Sequence, residues 1–355
     1  MAASFLATFN PLRQATGRSM RSTHWTVLVC QAKIALVVQW GTWSTLMRSW
    51  TFDDIPDQAG RTAIVTGANA GIGRETARML ALKGAHVVLA CRNPEKGQAA
   101  LTQILAEKPA GGATLEGLDL SDLDSVAAFA TAFAARHERL DLLVDNAGVM
   151  VPPLARTAQG FELQLGTNHL GHFALVGRLL PLVLHTPGAR VVVVASSAQS
   201  YGRIYFGDLN WERRRYRAWA AYCQSKLANM LFALELQRRL SAEGSEVRAT
   251  AAHPGWTATD LQRTAGAARF LSRFFAMKPS EGALPTLRAA VDPAAAGGSY
   301  WGPAGLLGMN GPPAAARIPK RAQDEAVAAR LWETSEKLTG VAYPLAPAAR
   351  RRAVA

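Results

Sequence analysis

Short apolar runs alternate with helical patterns from residue 60 onward, and this alternation limits the possible folds more than any other feature of the chain. The runs are continuous stretches rich in Val, Leu and Ile, as in strands that are buried on both faces of a sheet. The predicted strands are 62–66, 85–90, 114–118, 140–144, 189–195 and 247–252. Helices are predicted between them, including 73–83, 94–107, 123–136 and 220–242. Buried strands separated by helices predict an α/β fold with a doubly wound parallel sheet.

The region beyond the last predicted strand is less regular. Residues 297–313 are rich in Gly and Pro and are predicted to form an ordered loop. A helical pattern returns over 324–338, and Gly340 is positioned to end that helix.

The N-terminal 46 residues differ from this pattern. They hold four basic residues and no acid, and hydrophobic periodicity begins only after Asp57. Their most apolar stretch, 26–40, is shorter than the roughly 20 residues of a membrane-spanning helix, and no secretory signal is evident. The extension is expected to be disordered or to precede the start codon actually used, at Met47; a targeting or surface-anchoring segment is the alternative. The predicted division is an extension over 1–46, one domain over 47–340 and a basic tail over 341–355.

The composition excludes several classes of function. With 49% hydrophobic and 18% charged residues, the 355-residue chain has the material for a large core. The net charge of +13 is spread thinly outside the two ends, without a regular basic stripe, so no nucleic-acid partner is expected. Weak association with an anionic membrane surface stays open. Cys30, Cys91 and Cys223 form neither a disulfide framework nor a metal cluster, which predicts a cytoplasmic protein without a metal.

A glycine-rich turn, TGANAGIG over 66–73, joins the first predicted strand to the first helix. Its first glycine permits a tight turn, the second lets the backbone approach a pyrophosphate, and the third lets the helix pack close to the sheet. The helix N-terminus offers free N–H groups to phosphates. This position between a strand and a helix predicts a nucleotide site; a tight turn without a ligand is the alternative. The predicted cofactor contacts here are Gly67, Asn69, Gly71, Ile72 and Gly73.

Arginines stand where NAD-specific sites usually hold an acidic residue. Arg92 ends the second predicted strand, and Arg74 follows the last glycine of the turn. Two guanidinium groups near the ribose suit a 2′-phosphate because arginine offers paired donors. The cofactor is therefore predicted to be NADP rather than NAD; the alternative is that both arginines are simply solvated.

Two further strand ends contribute candidate cofactor contacts. Asp119 follows the third strand and is a candidate to accept from the adenine amino group, or else it caps the next helix. The fourth strand ends in the run DNAG over 145–148. The small residues of that run allow the backbone of Asn146, Ala147 and Gly148 to lie beside the cofactor ribose.

Tyr222 and Lys226 are four residues apart in a predicted helix, so the phenol and the ammonium share one face. A nearby ammonium favours the phenolate and lowers a tyrosine pKa. Tyr222 is thus a candidate to exchange a proton with a carbonyl/alcohol pair, while Lys226 holds the nicotinamide ribose.

Three more polar positions are candidates around this pair. Ser196 or Ser197, at the end of the fifth strand, is positioned to hydrogen-bond the substrate oxygen, with Ser196 preferred. Asn168 lies within a helical pattern, where asparagine is unfavourable, and is predicted to hold a water for a proton relay. His169 and His172 are expected to be packing or surface residues.

The whole pattern resembles the short-chain dehydrogenase/reductase family over essentially 60–340. The matching residues are TGANAGIG at 66–73, DNAG at 145–148, Asn168, Ser196, Tyr222 with Lys226, and HPGWTAT at 253–259. The resemblance implies a single Rossmann-like domain, often a homodimer or tetramer, with Asn, Ser, Tyr and Lys in the roles above. It also implies that Pro254, Gly255 and Thr259 border the nicotinamide.

Within the family, the runs ACRN at 90–93, NHLGHF at 168–173 and SKLAN at 225–229 look like the retinol dehydrogenase and WW-domain oxidoreductase-like branch. Protochlorophyllide reductases are near relatives. Asp145 and Ala195 depart from the family pattern, which more often has Asn and Ser there.

Aromatic residues are concentrated between Ser200 and Ala221, before the predicted catalytic helix. They predict a bulky lipophilic carbonyl or alcohol as substrate, unless they only pack the insert. The predicted function is an NADP-dependent, retinol dehydrogenase-like oxidoreductase. The alternatives are a light-driven reductase of the protochlorophyllide type and an NADP-binding scaffold or redox sensor without turnover.

Overall fold

This computed structural model describes residues 49–257 and 277–346. The chain divides into two compact units, Met1–Ser49 and Trp50–Ala355, and almost all described residues belong to the second. Several predicted features lie outside the described residues: the extension over 1–46, Thr259, and the arginines at 350–352.

Eight strands of the described residues form one sheet in the order β3-β2-β1-β4-β5-β6-β7-β8. The first seven are parallel to their neighbours and β8 is antiparallel to β7. The strands are β1 (Thr62–Thr66), β2 (His86–Cys91), β3 (Gly112–Gly117), β4 (Leu142–Asp145), β5 (Arg190–Val194), β6 (Arg248–Ala252), β7 (Tyr300–Pro303) and β8 (Pro313–Ala315). The predicted doubly wound α/β fold is confirmed, and the six predicted strands match β1 to β6 within a few residues.

Helices cover both faces of this sheet. They are α1 (Gly71–Leu82), α2 (Pro94–Ala106), α3 (Leu123–Ala134), α4 (Gly171–Leu184), α5 (Ala218–Ala242), α6 (Pro279–Val291) and α7 (Glu325–Thr339). Local chemistry sets their ends: Asn93 accepts from the Lys96 N–H at 2.7 Å to begin α2. Gly340 ends α7 with φ of 66°, a left-handed conformation that favours glycine.

The prediction of a loop over 297–313 was wrong at its two ends. Tyr300–Pro303 pairs with β6, and Pro313–Ala315 pairs with β7. Both strands are short and contain Gly or Pro, residues that are unusual inside a sheet but tolerated near its edge. Tertiary pairing therefore overrides the local preference for a turn.

The hydrophobic core lies on both faces of the sheet. On one face, strand side chains pack with α3, α4, α5 and α7; on the other, they pack with α1, α2 and α6. Val341, Tyr343 and Leu345 are buried in the first of these layers, so the folded domain continues past Gly340. Among the described residues, no helix combines the length and apolar composition that crossing a membrane requires.

Candidate active site

A cavity opens at the carboxyl edge of the sheet, around the ends of β1 and β4. The strand order reverses between these two strands, which is where open α/β sheets bind ligands. The residues predicted as contacts that line this one cavity are Gly67, Asn69, Gly71, Ile72, Gly73, Arg92, Asp119, Asn146, Ala147, Gly148, Tyr222, Lys226 and Pro254.

The glycine turn has the shape that a dinucleotide phosphate requires. Gly67 and Gly71 have φ of 67° and 56°, in the left-handed region that other residues avoid. A Cβ on Gly73 would stand 2.5 Å from the carbonyl oxygen of Gly67, so only glycine lets α1 approach the turn. Arg74 is the first residue of α1 whose N–H reaches a helical acceptor, the carbonyl of Ala70. The three preceding N–H groups are therefore available to an anion.

The DNAG run is fastened to the end of β1. The Thr66 hydroxyl accepts from the N–H groups of Asn146 and Ala147, both at 2.9 Å. The Asn146 side chain donates to the Thr66 carbonyl at 2.8 Å. These bonds hold the turn and the DNAG run against each other on two sides of the cavity. A cradle of this kind, rich in glycine and free N–H groups, fits the pyrophosphate and ribose of NAD(P).

The two predicted 2′-phosphate ligands lie in different places. Arg92 is exposed and lines the cavity, as expected for a contact to the ribose. Arg74 does not line it, because its guanidinium donates to Gln103 at 2.8 Å and to Glu75 at 3.2 Å. The geometry therefore supports Arg92 as the ribose-side cation and places Arg74 in an ion-pair network on the outer face of α1.

Asp119 borders the cavity in a local turn. Its carboxylate accepts from the N–H and the hydroxyl of Ser121, at 2.9 and 2.6 Å. Asp122 rather than Asp119 caps α3, through a 3.0 Å bond from the Asp124 N–H. Among the described residues, no group donates a hydrogen bond to the second carboxylate oxygen of Asp119. That oxygen could therefore accept from the adenine.

Tyr222 and Lys226 project from one face of α5 into the cavity. Only 5% and 4% of their surfaces are exposed. The Lys226 ammonium lies 6.0 Å from the centre of the Tyr222 ring and donates to the Val194 carbonyl at 2.9 Å. Ser196 lies close enough to the Tyr222 phenol to lower its pKa, whereas Ser197 is exposed at the start of a short helix. Of the two serines, Ser196 is the one that the fold brings to the tyrosine.

Burial dominates the ionisation of this pair in the protein alone. It raises the pKa of Tyr222 to about 12, although the Ser196 hydrogen bond works in the opposite direction. It lowers the pKa of Lys226 to about 8. The expected lowering of the tyrosine pKa by the ammonium is therefore not found, because the dominant cause of the shift is desolvation. At neutral pH the phenol carries its proton and the amine is largely protonated.

Asn168 lies in a π-helical turn, Gly166–Leu170, immediately before α4. Such turns are rare and often occur at functional sites. The Asn168 side chain is fully buried, accepts from the Val149 N–H at 2.7 Å and donates to Ser225 at 2.9 Å. It also lies close to Gly148, where an added Cβ would stand 3.1 Å from the Asn168 Oδ1 atom and 3.6 Å from Lys226 Nζ. Asn168, Lys226 and the DNAG run therefore meet.

His172, which was predicted to be a packing or surface residue, belongs to the hydrogen-bond network of this site. It is 1% exposed, and its Nδ1 atom lies 3.0 Å from the Asn168 carbonyl oxygen. Its Nε2 atom lies 2.9 Å from the Thr66 hydroxyl. Since a carbonyl only accepts, Nδ1 carries the proton, and the hydroxyl donates to Nε2. Burial lowers the pKa of His172 to about 4, which keeps it neutral.

His169, in contrast, is a packing residue as expected. It is buried against Phe173 and Phe232, and its Nε2 atom hydrogen-bonds Ser335 at 2.9 Å. In the sequence, the two histidines differ only in position, three residues apart on a helical pattern. That spacing does not indicate which histidine packs in the core and which bonds within the site.

The segment after β6 closes the cavity on a third side. Pro254 lines it, and Gly255 follows with φ of 66°. A Cβ on Gly255 would stand 2.6 Å from the carbonyl oxygen of Met309, so this position also requires glycine. Thr259 lies outside the described residues, and its predicted contact with the nicotinamide stays a prediction.

The aromatic insert before α5 divides into packed and exposed members. Trp211 and Tyr216 pack edge to face at 5.6 Å, and the Tyr216 hydroxyl hydrogen-bonds Glu162 and Gln164. Trp219 is 52% exposed, and its ring lies 5.7 Å from that of Tyr222. The packing interpretation therefore holds for Trp211 and Tyr216. Trp219 stands beside the candidate catalytic residue, and the lipophilic substrate stays a prediction.

Comparisons with known proteins agree with this geometry. The family model for short chain dehydrogenases matches residues 61–269. Human retinol dehydrogenase 13 is 41% identical over 80% of this chain and 86% of its own length. Mouse polyprenol dehydrogenase is 43% identical over 81% of this chain and 86% of its own length.

Solved structures share the fold. An uncharacterized protein from Mycobacterium paratuberculosis has a TM-score of 0.71 and 45% identity, covering 84% of this chain and all of its own. The NADP complex of Pseudomonas aeruginosa RhlG has a TM-score of 0.56 and 25% identity, covering 69% of this chain and 94% of its own.

The chain belongs to the short-chain dehydrogenase/reductase family. It resembles the retinol dehydrogenase branch within that family, as the sequence motifs predicted. It is an NAD(P)-dependent oxidoreductase that acts on alcohol and carbonyl groups.

Proposed function

We propose that this enzyme is an NADP-dependent reductase of a bulky lipophilic carbonyl compound, with Tyr222 as the proton donor. One observation carries the proposal: the Tyr222 phenol and the Lys226 ammonium are buried on one helix face and line a cavity shaped for a dinucleotide. NAD(P), when bound, supplies or removes the hydride at the substrate carbon. The protein supplies the proton, the orientation of the oxygen and the exclusion of water.

Tyr222 is placed to donate its proton to the substrate oxygen as negative charge develops there. Ser196 hydrogen-bonds the same oxygen and stabilises that charge. Lys226, held by the Val194 carbonyl, is the cation next to the phenol and stabilises the phenolate that remains. After Tyr222 has donated its proton, the backbone around Asn168 is part of the path by which another proton reaches the tyrosine. With its pKa raised to about 12, the Tyr222 phenol keeps its proton at neutral pH and is available as the proton donor that reduction needs.

The preference for NADP rests on Arg92. It is exposed at the end of β2 and lines the cavity at the ribose side, where NAD-specific relatives of this fold usually hold an acid. Two structural neighbours, from Pseudomonas aeruginosa and Shigella flexneri, were solved with NADP. Arg74 contributes only if it leaves its partners Gln103 and Glu75.

The lipophilic substrate is inferred from the wall beside Tyr222. Met150 and Val151 pack against Tyr222 and Ala198, and Trp219 adds an exposed aromatic surface. The relatives named retinol dehydrogenases and polyprenol dehydrogenase are consistent with a long apolar substrate. Which compound is used physiologically is decided by turnover rather than by these contacts.

A cofactor measurement tests the NADP proposal. Arg92→Gln is expected to weaken NADPH affinity by roughly 10- to 100-fold, because a charge-assisted pair to the 2′-phosphate is lost. NADH affinity is expected to change less than threefold, and Lys96→Gln, on the neighbouring exposed helix, is the matched control. Equal affinities of the unmodified protein for NADPH and NADH would contradict the proposal.

A substrate screen tests the reaction. NADPH oxidation is followed with aldehydes, ketones and retinoids of increasing apolar size, in the dark and under illumination. We expect turnover in the dark that improves with apolar size. Turnover only of small polar carbonyls would contradict the lipophilic proposal. Activity that needs light and a pigment would instead indicate the protochlorophyllide-type alternative, and cofactor binding without any turnover would indicate the scaffold. Cytoplasmic location and a homo-oligomeric state stay predictions.

A further inference from the structure

The insert between β5 and α5 and the first turn of α5 together hold all the exposed Phe, Tyr and Trp side chains of the described residues. Tyr201, Tyr205 and Trp219 are 75%, 42% and 52% exposed. Large aromatic side chains are normally buried, so three exposed ones within 19 residues of the chain are unusual. The segment follows a strand and precedes a helix, so it lies at the carboxyl edge of the sheet, where the active-site cavity opens.

The same segment is strongly basic. Residues 201–219 contain five arginines and two acids, 5 − 2 = +3. Arg214 is neutralised by Asp208 at 3.0 Å and stacks on the rings of Tyr205 and Trp211. The remaining four are exposed and form no ion pair with a carboxylate among the described residues: Arg203, Arg213, Arg215 and Arg217.

Hydrogen bonds fix the backbone of this segment. The Asp208 carboxylate accepts from the N–H groups of Glu212 and Arg214, at 2.8 and 3.0 Å. Arg156 donates to the Asn210 carbonyl at 2.6 Å and ties the segment to the chain after β4. Asp208, Trp211 and Arg214 therefore pack within the insert itself.

Arg213 donates to the Gly207 carbonyl, and the rings of Tyr205 and Trp219 contact Arg214 and Tyr222. Among the described residues, no partner is found for four exposed side chains, which need another explanation: Tyr201, Arg203, Arg215 and Arg217.

We propose that this aromatic–arginine surface, formed by Tyr201, Arg203, Tyr205, Arg213, Arg215, Arg217 and Trp219, docks on the headgroup region of an anionic lipid bilayer. Tyrosine and tryptophan prefer the boundary between hydrocarbon and water, and arginines pair with lipid phosphates. A nucleic acid would use the arginines, but it would find no regular basic stripe along which its backbone could run.

The surface also lies beside the candidate catalytic residue Tyr222. Trp219 is three residues before Tyr222 on α5, and their rings are 5.7 Å apart. A bilayer docked here would present an apolar substrate directly to the mouth of the cavity. This second part rests on the proposed lipophilic substrate, whereas the docking itself does not.

Vesicle cosedimentation of the full chain tests the docking. The probes are vesicles of phosphatidylcholine alone and vesicles in which a third of the lipid is phosphatidylglycerol. Arg213→Gln/Arg215→Gln/Arg217→Gln is compared with Lys108→Gln/Arg178→Gln/Lys337→Gln, which removes the same charge from exposed sites on other elements. The first variant is expected to lose roughly 100-fold in affinity for the anionic vesicles, and the control to lose far less.

A second arm separates the aromatic contribution. Tyr201→Ser is expected to weaken the part of the binding that persists at high salt, where screening removes most of the arginine contribution. Equal vesicle binding by the two triple variants would overturn the proposal. So would binding of the protein to a short DNA duplex without binding to anionic vesicles.

The two proposals fail separately. If turnover is absent with every carbonyl compound but vesicle binding depends on the three arginines, only the proposed function fails. If a water-soluble aldehyde is reduced equally well by both triple variants and vesicle binding does not differ, only the docking fails.

Discussion

The two ends of strand β4 carry aspartates in opposite circumstances. Asp141, just before the strand, is 2% exposed and fully partnered: it accepts from the Thr62 N–H and from two nitrogens of Arg139 at 2.6–2.9 Å. Asp145, the last residue of the strand, is 0% exposed, and neither of its oxygens has a hydrogen-bond partner among the described residues. Burial raises its pKa well above the usual value.

This contrast extends to the two edges of the sheet. At the amino edge, Arg190 donates to the Ala289 and Asp292 carbonyls, and Arg61 lies 3.6 Å from Asp141. At the carboxyl edge, Lys226 is buried next to one carbonyl and faces a cavity. The charged groups at the amino edge are thus paired within the protein. At the carboxyl edge, the charged Lys226 is available to a ligand and to catalysis.

Lys226→Met tests the carboxyl edge most severely. Turnover is expected to fall about 10⁴-fold, because the cation that stabilises the phenolate and holds the cofactor is lost. The free energy of unfolding is expected to stay the same or to rise, because burial already disfavours this ammonium. Steady-state kinetics and urea unfolding measure the two effects. Lys337→Met, an exposed lysine, should change neither, and an active Lys226→Met enzyme would break the comparison.

Asp141→Asn tests the amino edge. Removing this buried charge leaves Arg61 and Arg139 without their carboxylate, and the free energy of unfolding is expected to fall by about 3 kcal/mol. The folded fraction should keep its turnover and its NADPH affinity. Urea unfolding with activity measured below the transition separates these outcomes. A specific loss of turnover without a loss of stability would show that the two edges are not distinct.

His172 combines features of both edges, because it lies in the site and both of its ring nitrogens have hydrogen-bond partners. His172→Leu is expected to lower kcat roughly tenfold with little change in KM, because the Asn168 carbonyl and the Thr66 hydroxyl lose their partner. His172→Gln, which can donate and accept, should recover part of kcat. If both variants lose stability alone, with kcat of the folded protein unchanged, His172 is a packing residue after all.

Asp145→Asn has the smallest expected effect and the opposite sign. An unfolded Asp145 releases its proton near its usual pKa of about 4, whereas the folded one keeps it. The folded state therefore binds more protons, and the stability of the unmodified protein falls as pH rises above that value. Asparagine removes this contribution and should raise the free energy of unfolding at pH 7 by roughly 1 kcal/mol. Identical pH dependence of the melting temperature in both proteins would contradict this.

Most of the fold was predictable because its strands are strongly apolar and its helices carry local end signals. β7 and β8 were not, since Tyr300–Pro303 and Pro313–Ala315 become strands only through pairing with β6 and with each other. Their local sequence favours a turn, and pairing across the sheet is invisible in it.

The candidate site shows the same limit. Spacing places Tyr222 and Lys226 on one helix face, so their proximity was predictable. Arg74 points away from the cavity because Gln103, a residue from the next helix, accepts from it. His172 reaches Thr66 from 106 positions away, a distance over which sequence spacing carries no information. The pKa of Tyr222 follows from burial, which also depends on the whole fold.

The central claim is that a buried phenol at the carboxyl edge donates the proton in a carbonyl reduction. Tyr222→Phe removes the hydroxyl and keeps the ring, so NADPH affinity and turnover are measured side by side on this one variant. NADPH affinity is expected to stay within about threefold of that of the unmodified enzyme, and turnover to fall at least roughly 1000-fold. Turnover that survives this substitution, with the cofactor still bound, would contradict it.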